Sequence, residues 1–156
     1  MKKCRSILLI GSLPLLLVAC GGGGKSFHGR IQCAPYARSL TGVKLSGSAG
    51  SWWNQSKGLY ARSNYPSKGA ILVFRSTSRL PYGHVSVVKK VKDSRTILVD
   101  QANWEPQEID HKVPIVDVSS SNNWTAVRVW WKPTGKMGAR RYPTYGFILP
   151  DSADRS

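Results

Sequence analysis

The sequence predicts an α+β fold in which short helices come first and an antiparallel sheet or half-barrel follows. Two short helical patterns fall within residues 33–58, and from residue 70 onward the chain consists mainly of runs rich in β-branched and aromatic residues. Because the helices precede the strands instead of alternating with them, we expect them to pack together against the sheet. The chain has 156 residues, 41% of them hydrophobic, which is enough for one domain with a substantial core.

The first helix is predicted over residues 33–41, CAPYARSLT. Pro35 is tolerated in a first helical turn, and Gly42 follows as a stop signal. Cys33 therefore opens the helix. A second short helix is predicted in SAGSWWNQSKG, which ends at Gly58, and the YARSNYPSKG that follows is predicted to be a loop.

Six strands are predicted in the rest of the chain, each a run of apolar and β-branched residues bounded by turn signals. They are AILVF at 70–74, HVSVVKKV at 84–91, TILVDQ at 96–101, VPIVDVS at 113–119, TAVRVWW at 125–131 and YGFIL at 145–149. The second and third are separated only by KDSR, so we expect them to form a hairpin. Trp130 and Trp131, at the end of the fifth strand, are expected to be structural.

Residues 1–19 have the pattern of a targeting segment. A basic start precedes the apolar run ILLIGSLPLLLVA, which is short and interrupted by Gly and Pro. Its end, LVAC, resembles a bacterial lipoprotein signal, in which Cys20 is acylated and becomes the mature N-terminus. An ordinary secretory leader or a plain membrane anchor is the alternative. Residues 20–29 would then be the lipid anchor and a Gly-rich tether, residues 30–150 the folded domain, and residues 151–156 a flexible tail.

The predicted leader places the domain in the bacterial cell envelope. Gly21 stands where enteric bacteria read an aspartate as an inner-membrane retention signal, so we expect a periplasmic lipoprotein anchored in the outer membrane. The 23 basic and 8 acidic residues give a net charge of +15, or +12 once the three leader cations are removed. Outside the cytoplasm this charge favours anionic envelope polymers, not nucleic acid, as partners. A contribution to solubility without a particular partner is the alternative. The sequence leaves the oligomeric state open.

Cys33 is the one cysteine without an assigned role, since Cys4 would leave with the leader and Cys20 would carry lipid. A thiol at a helix N-terminus is favoured as thiolate by the partial positive charge of the backbone, and a nearby imidazolium lowers its pKa further. Such a thiol suits nucleophilic catalysis, which also needs a histidine from elsewhere in the chain. A small buried core residue is the alternative role for a lone cysteine.

His84 is the best candidate for the catalytic base among the three histidines. It stands at the start of a predicted strand, where its side chain can face a groove while Val85 faces the other way. His28 lies in the predicted tether, and His111 lies in a polar stretch without special context.

The residue that orients the imidazole is expected at the end of the next predicted strand, in VDQANW. A hairpin would place this segment alongside His84. Gln101 and Asn103 share one face of the strand, and Asp100 lies on the other. These three polar residues are therefore the candidates for a third catalytic residue.

Several motifs together resemble the CHAP domain, the cysteine, histidine-dependent amidohydrolase/peptidase relatives of the NlpC/P60 and papain-like enzymes. They are QCAPYAR, WW followed by G and Y, PSKGAILVF, GHVSVV and VDQANW, in this order, and the resemblance covers residues 30–131. It implies a papain-like α+β fold and cleavage of amide bonds in bacterial peptidoglycan. It also implies that Cys33 is the nucleophile and His84 the general base and then acid, with the backbone N–H of Cys33 and Gln32 binding the oxyanion.

The third catalytic position departs from the family pattern. Many members have Glu two residues before the Asn of an Asn-Trp pair, and relatives of this lipoprotein type often have His, whereas this chain has Gln101. A glutamine can fix the orientation of the imidazole by a hydrogen bond, but it supplies no negative charge. Asn103 is the next choice for this support, and Asp100 would serve if a bulge rotated the strand end.

The acidic calcium-binding loop of some Gram-positive relatives has no counterpart, so no metal and no other cofactor are predicted. Trp52, Trp53 and Trp104 are the candidates for lining a substrate groove, with a plain core or rim position as the alternative for each. Two functions follow. The first is a peptidoglycan hydrolase, either an N-acetylmuramoyl-L-alanine amidase or an endopeptidase of the stem or cross-bridge. The second, which the uncharged Gln101 favours, is a lipid-anchored wall-binding scaffold that keeps the fold without turnover.

Overall fold

An antiparallel sheet of eight strands makes up most of residues 30–150, the part of the chain that the computed structural model describes. Two helices precede most of it, α1 at Cys33–Thr41 and α2 at Trp52–Gln55, the latter directly after a 3₁₀ turn at Ala49–Ser51. The strands are β1 (Ala61–Ser63), β2 (Ile71–Phe74), β3 (His84–Asp93), β4 (Thr96–Ala102), β5 (Ile109–Asp117), β6 (Ala126–Trp131), β7 (Lys136–Met137) and β8 (Tyr142–Leu149).

The sheet closes into a barrel. Its strand order is β1-β8-β2-β3-β4-β5-β6-β7, and β6 also pairs with β8. In this closing pair Ala126 lies opposite Pro143 and Val127 opposite Tyr142. Six strands, from β8 through β2 to β6, therefore form the barrel wall, while β1 and β7 extend it at β8 and β6.

Side chains alternate across the barrel wall and so create two separate hydrophobic cores. The interior core includes Leu72, Phe74, Val88, Ile97, Val99, Ile115, Val127 and Phe147, with Trp124 fully buried among them. On the outside, Ile71, Val73, Val85 and Val87 pack against Ala34, Ala37, Val43, Leu45 and Trp52. The outer core fixes α1 against β3, the strand that begins with His84.

The predicted helix at residues 33–41 and the predicted hairpin of β3 and β4 are confirmed. The α+β fold is confirmed only in part, because the sheet dominates the domain and closes into a barrel. Closure depends on pairing between β6 and β8, and the alternation within a single strand does not reveal its partners. The short strand β1 occupies part of the segment that was predicted to be a loop.

No helix between residues 30 and 150 is long and apolar enough to span a membrane. The predicted leader at residues 1–19, the acylated Cys20, the tether at residues 20–29 and the tail at residues 151–156 lie outside the described residues. They remain predictions from the sequence.

Candidate active site

Cys33 opens α1 and packs against the outer core. Gln32 precedes it in extended conformation, with its side chain exposed and making no capping hydrogen bond. The sulfur of Cys33 accepts hydrogen bonds from the backbone N–H groups of Cys33, Ala34 and Val85. Because Val85 directly follows His84, the packing of α1 on β3 brings the thiol to the start of the histidine strand.

Burial raises the pKa of the Cys33 thiol above its ordinary value. The surrounding N–H groups lower the pKa, but burial outweighs them. The sequence predicted a thiol already favoured as thiolate, and this expectation is wrong for the resting site because it considered the helix start without the burial. The thiol therefore needs a proton acceptor to become a nucleophile.

A glycine contact fixes the backbone in front of His84. Gly83 has φ +68°, and a Cβ on it would lie 2.6 Å from the backbone nitrogen of Gly50 and 2.7 Å from the carbonyl oxygen of Phe74. Only glycine fits this position without strain. Gly50 in turn donates its N–H to the carbonyl of Tyr82 at 2.8 Å. These contacts hold the start of β3 against the 3₁₀ turn that precedes α2.

Two buried polar side chains hold the imidazole of His84. Gln101 Oε1 lies 3.2 Å from His84 Nε2, and the hydroxyl of Ser86 donates to the same oxygen at 2.8 Å. All three residues are at most 3% exposed. Because an amide oxygen only accepts hydrogen bonds, this arrangement places the imidazole proton on Nε2 and leaves a lone pair on Nδ1. The ring is thus in the tautomer that can accept a proton at Nδ1.

Burial lowers the pKa of His84 to about 4, although its hydrogen bond to Gln101 raises it. A neutral amide offsets less of the desolvation penalty than a carboxylate would. His84 is therefore neutral at pH 7. With the neutral thiol of Cys33 beside the same strand, the resting site holds an uncharged thiol and an uncharged imidazole.

Asp100 faces away from His84. Its carboxylate lies 3.2 Å from His111 Nδ1 and 3.7 Å from Lys89 Nζ, and it accepts the backbone N–H of Lys112 at 2.9 Å. The register between β4 and β5 does shift at this point, as a bulge requires. The bulge leaves Gln101 on the His84 side, so the alternative assignment of Asp100 to the third position is wrong.

Asn103 also lies away from His84, because the chain turns before it. Its φ of 59° ends the alternation of β4 at Ala102, so the expected common face with Gln101 is not formed. The Asn103 side chain instead accepts the N–H of Gln107 at 3.0 Å. The Gln107 amide in turn accepts the N–H of Ile31 at 3.3 Å. Asn103 thus stabilises a turn that is tied to the chain just before the helix.

Trp104 forms one wall of the site. Its ring meets the imidazole of His84 edge-on, with 5.0 Å between centroids, and lies 5.7 Å from Phe74 and 5.0 Å from Tyr142. Trp104 is partly exposed, so one part of the ring packs on the histidine while another faces solvent.

Trp53 lies elsewhere, on α2. It stacks on Tyr145 with 5.7 Å between centroids, and the Arg62 guanidinium lies 4.7 Å from its ring. It also packs against the outer core, as Cys33 does. Since side chains of its own chain already cover it, Trp53 is less available than Trp104 as a platform for substrate. Its neighbour Trp52 is fully buried in the outer core, so the groove position expected for Trp52 is wrong.

Two cavities meet at Trp104. The larger, of about 520 Å³, is also lined by Arg79, Leu80, Val129, Trp131, Gly138, Ala139, Arg140 and Tyr142. The smaller, of about 270 Å³, is also lined by Gln101, Glu105, Asp110, His111, Lys112, Val113, Pro114, Trp130 and Lys132. Trp130 and Trp131, which were expected to be structural, pair with β7 and are 36% and 38% exposed. Both line open space beside the site.

Ser86 is the site residue that the sequence analysis missed. Its signal was present, because Ser86 follows His84 by two positions on one strand and so shares its face. Gln107 had no comparable signal, since it depends on a left-handed turn and a contact 76 residues away in the chain. Among residues 30–150, no three His, Cys, Asp or Glu side chains come together to hold a metal ion.

A family model of the CHAP domain matches residues 22–103, just over half of the chain. The matched range includes Cys33, His84 and Gln101, and it begins within the predicted tether. No curated protein matches the sequence.

Proposed function

The chain belongs to the CHAP domain family, and from this premise we propose that it hydrolyses an amide bond of peptidoglycan with Cys33 as nucleophile and His84 as base. Membership of the family supports the general activity, which is that of an amidase or peptidase acting on peptidoglycan. The observation that supports these two roles is the buried hydrogen bond between His84 and Gln101. His84 begins β3, and the next residue of that strand, Val85, donates its backbone N–H to the Cys33 thiol.

In the first step the thiol proton moves to Nδ1 of His84 while Sγ of Cys33 attacks the amide carbon. The carbonyl oxygen becomes a tetrahedral oxyanion, which the backbone N–H of Cys33 and the amide of Gln32 would bind. Because both resting groups are neutral, the charged thiolate–imidazolium pair has to form during the reaction. The burial of Cys33 and His84 disfavours a charged pair in the ground state, so the free-energy cost of separating the charges falls in the transition state.

In the second step the imidazolium of His84 gives its proton to the leaving amine, and the C–N bond breaks. The product is a thioester on Cys33 and a free amine. His84 then takes a proton from water, and the resulting hydroxide attacks the thioester. Breakdown of this intermediate releases the carboxylic acid and returns the proton to the thiol.

Gln101 and Ser86 are positioning residues in this mechanism. Gln101 holds Nε2–H of His84 so that Nδ1 faces the reaction, and Ser86 holds the Gln101 oxygen toward the ring. Neither supplies negative charge, so the imidazolium is stabilised less than it would be beside a carboxylate. We therefore expect proton transfer to be slower than in an enzyme with a carboxylate at this position. The role of Gln101 is to orient the imidazole.

We place the enzyme in the bacterial cell envelope as a lipoprotein held by acylated Cys20, in the periplasm and on the outer membrane. The support is the leader and its LVAC ending. A short Gly-rich tether would keep the site near the membrane surface. The net charge of the mature chain would retain it on anionic envelope polymers.

A wall-binding scaffold is the second candidate function, favoured by the raised pKa of Cys33 and by the uncharged Gln101. Defined muropeptides separate the two. We expect the protein to release free amines from an N-acetylmuramoyl peptide, and the Cys33→Ala and His84→Ala variants to be slower by about 10³-fold or more. His111→Ala is the matched control and should retain activity. Equal binding of sacculi by all variants without any amine release would select the scaffold.

A further inference from the structure

The charged residues that line one of the two cavities beside Trp104 are all positive. Its volume is about 520 Å³, and its walls include Arg79 and Arg140 together with the rings of Trp104, Trp131 and Tyr142. No acidic residue of the described chain is among those that line it. We call it the arginine cavity.

Both arginines are uncompensated within the described part of the chain. None of the ion pairs formed between residues 30 and 150 includes Arg79 or Arg140. Burial raises the pKa of Tyr142, Arg140 and Arg79 lower it, and Glu105, which does not line the cavity, raises it. Both positive charges therefore act on a hydroxyl in the cavity wall. Two arginines that line one concave surface and form no ion pair favour an anionic ligand.

The smaller cavity differs in this respect. Lys132 there lies 2.5 Å from Glu108 and 3.6 Å from Asp110, so its positive charge is neutralised by its own neighbours. Lys112 also lines the smaller cavity, but so do the acidic residues Glu105 and Asp110. The arginine cavity is therefore the one of the two whose lining is positively charged without an acidic residue.

The arginine cavity lies close enough to His84 to hold part of the same substrate. The ring of Trp104 is 5.0 Å from that of His84 and 5.0 Å from that of Tyr142, so the two outer centroids are at most about 10 Å apart. An extended peptide covers about 3.4 Å per residue, so this span corresponds to about three residues. The flat faces of the tryptophans suit the apolar parts of such a segment.

We propose that the arginine cavity is a substrate subsite that binds a free carboxylate of the peptide stem, within about three residues of the scissile amide. The planar donors of the two guanidinium groups match a carboxylate in geometry and charge. This inference rests on the proposed function. It adds that stems with free carboxylates are preferred over stems in which these groups are amidated.

Binding to a chain that cannot turn over tests the subsite separately from catalysis. In the Cys33→Ala background, titration calorimetry would compare a muramoyl peptide with free carboxylates and the same peptide with its carboxylates converted to amides. We expect the free acid to bind about tenfold more tightly. Adding Arg79→Gln and Arg140→Gln together should abolish this preference while leaving the affinity for the amide unchanged.

Arg141→Gln is the matched control, because its guanidinium donates to the carbonyl of Val118 at 3.0 Å and does not line the cavity. This variant should keep the preference. Equal affinities for acid and amide, no binding of either peptide, or equal loss in the Arg141 variant would overturn the proposal. So would displacement of the peptide by inorganic phosphate at equal concentration, which would indicate a general anion site. Amine release by the active protein is measured independently, so hydrolysis without a carboxylate preference would leave the proposed function standing.

Discussion

At the residue scale, His84 is neutral because it is buried, and this burial links its catalytic role to the stability of the fold. Its only charged form, the imidazolium, would lie in the barrel interior next to an amide and a hydroxyl. Those groups orient the ring without offsetting a positive charge. Protonation of His84 in the resting protein therefore opposes folding and also removes the catalytic base.

Stability should fall as the pH is lowered through the range between the unfolded and folded pKa values of His84. The unfolded pKa is about 6.5, and burial lowers the folded value to about 4. Between these values the unfolded chain binds more protons, so the free energy of unfolding should decrease by about 3 kcal/mol from this residue as the pH falls. Urea unfolding at several pH values from 7 to 4 measures this decrease.

His84→Gln removes the titrating group and should flatten this part of the pH dependence. His111→Gln is the control, since the side chain of His111 is 66% exposed. The His111→Gln variant should retain the full decrease in the free energy of unfolding between pH 7 and 4. An unchanged slope in His84→Gln would show that other groups cause the acid sensitivity.

Ser86→Ala tests the positioning of Gln101. Without the hydroxyl, Gln101 Oε1 loses one of its two partners, and its amide is free to turn away from His84. A hydrogen bond of this kind contributes a net free energy of about 1 kcal/mol, so we expect kcat on muropeptides to fall about fivefold with KM unchanged. Ser86→Thr, which keeps the hydroxyl, should restore most of the rate.

Ser56→Ala is the matched control for Ser86→Ala. Ser56 is also fully buried, but its hydroxyl donates to the carbonyl of Trp53, outside the site. This variant should lose stability without losing kcat. If both alanine variants lowered kcat in proportion to their loss of stability, Ser86 would have a structural role only.

At the element scale, the start of β3 depends on the close approach of Gly83 to Gly50. Gly83→Ala would place a methyl group 2.6 Å from a backbone nitrogen at a positive φ. We expect it to lower the free energy of unfolding by about 3 kcal/mol or more, because backbone atoms must move. Chemical denaturation measures this loss.

Gly58→Ala separates the steric clash from the cost of the backbone angle. Gly58 has φ +79°, but a Cβ there would meet nothing within 4 Å. The expected loss is therefore only about 1 kcal/mol. Similar losses in the two variants would mean that the contact with Gly50 does not hold β3 in place.

At the scale of the whole molecule, the helix and strands that carry the site could be predicted from the sequence, but the strand pairing that closes the barrel could not. Local patterns were sufficient for α1 and for the β3–β4 hairpin, because a helix stop and the alternation of residues are local properties. They were insufficient for the pairing of β6 with β8. The site shows the same division. Gln101 faces His84 as the alternation predicts, whereas the left-handed backbone of Asn103 and the burial of the Cys33 thiol depend on tertiary packing.

Digestion of purified peptidoglycan sacculi, with mass spectrometry of the soluble fragments, tests the central claim most directly. We expect the wild-type protein to release fragments with a new carboxylate and a new amine at one type of amide bond, whose position distinguishes amidase from endopeptidase. Cys33→Ala should release none while still binding the sacculi. Release of the same fragments by Cys33→Ala, or no release by the wild type from walls of several chemistries, would contradict the account.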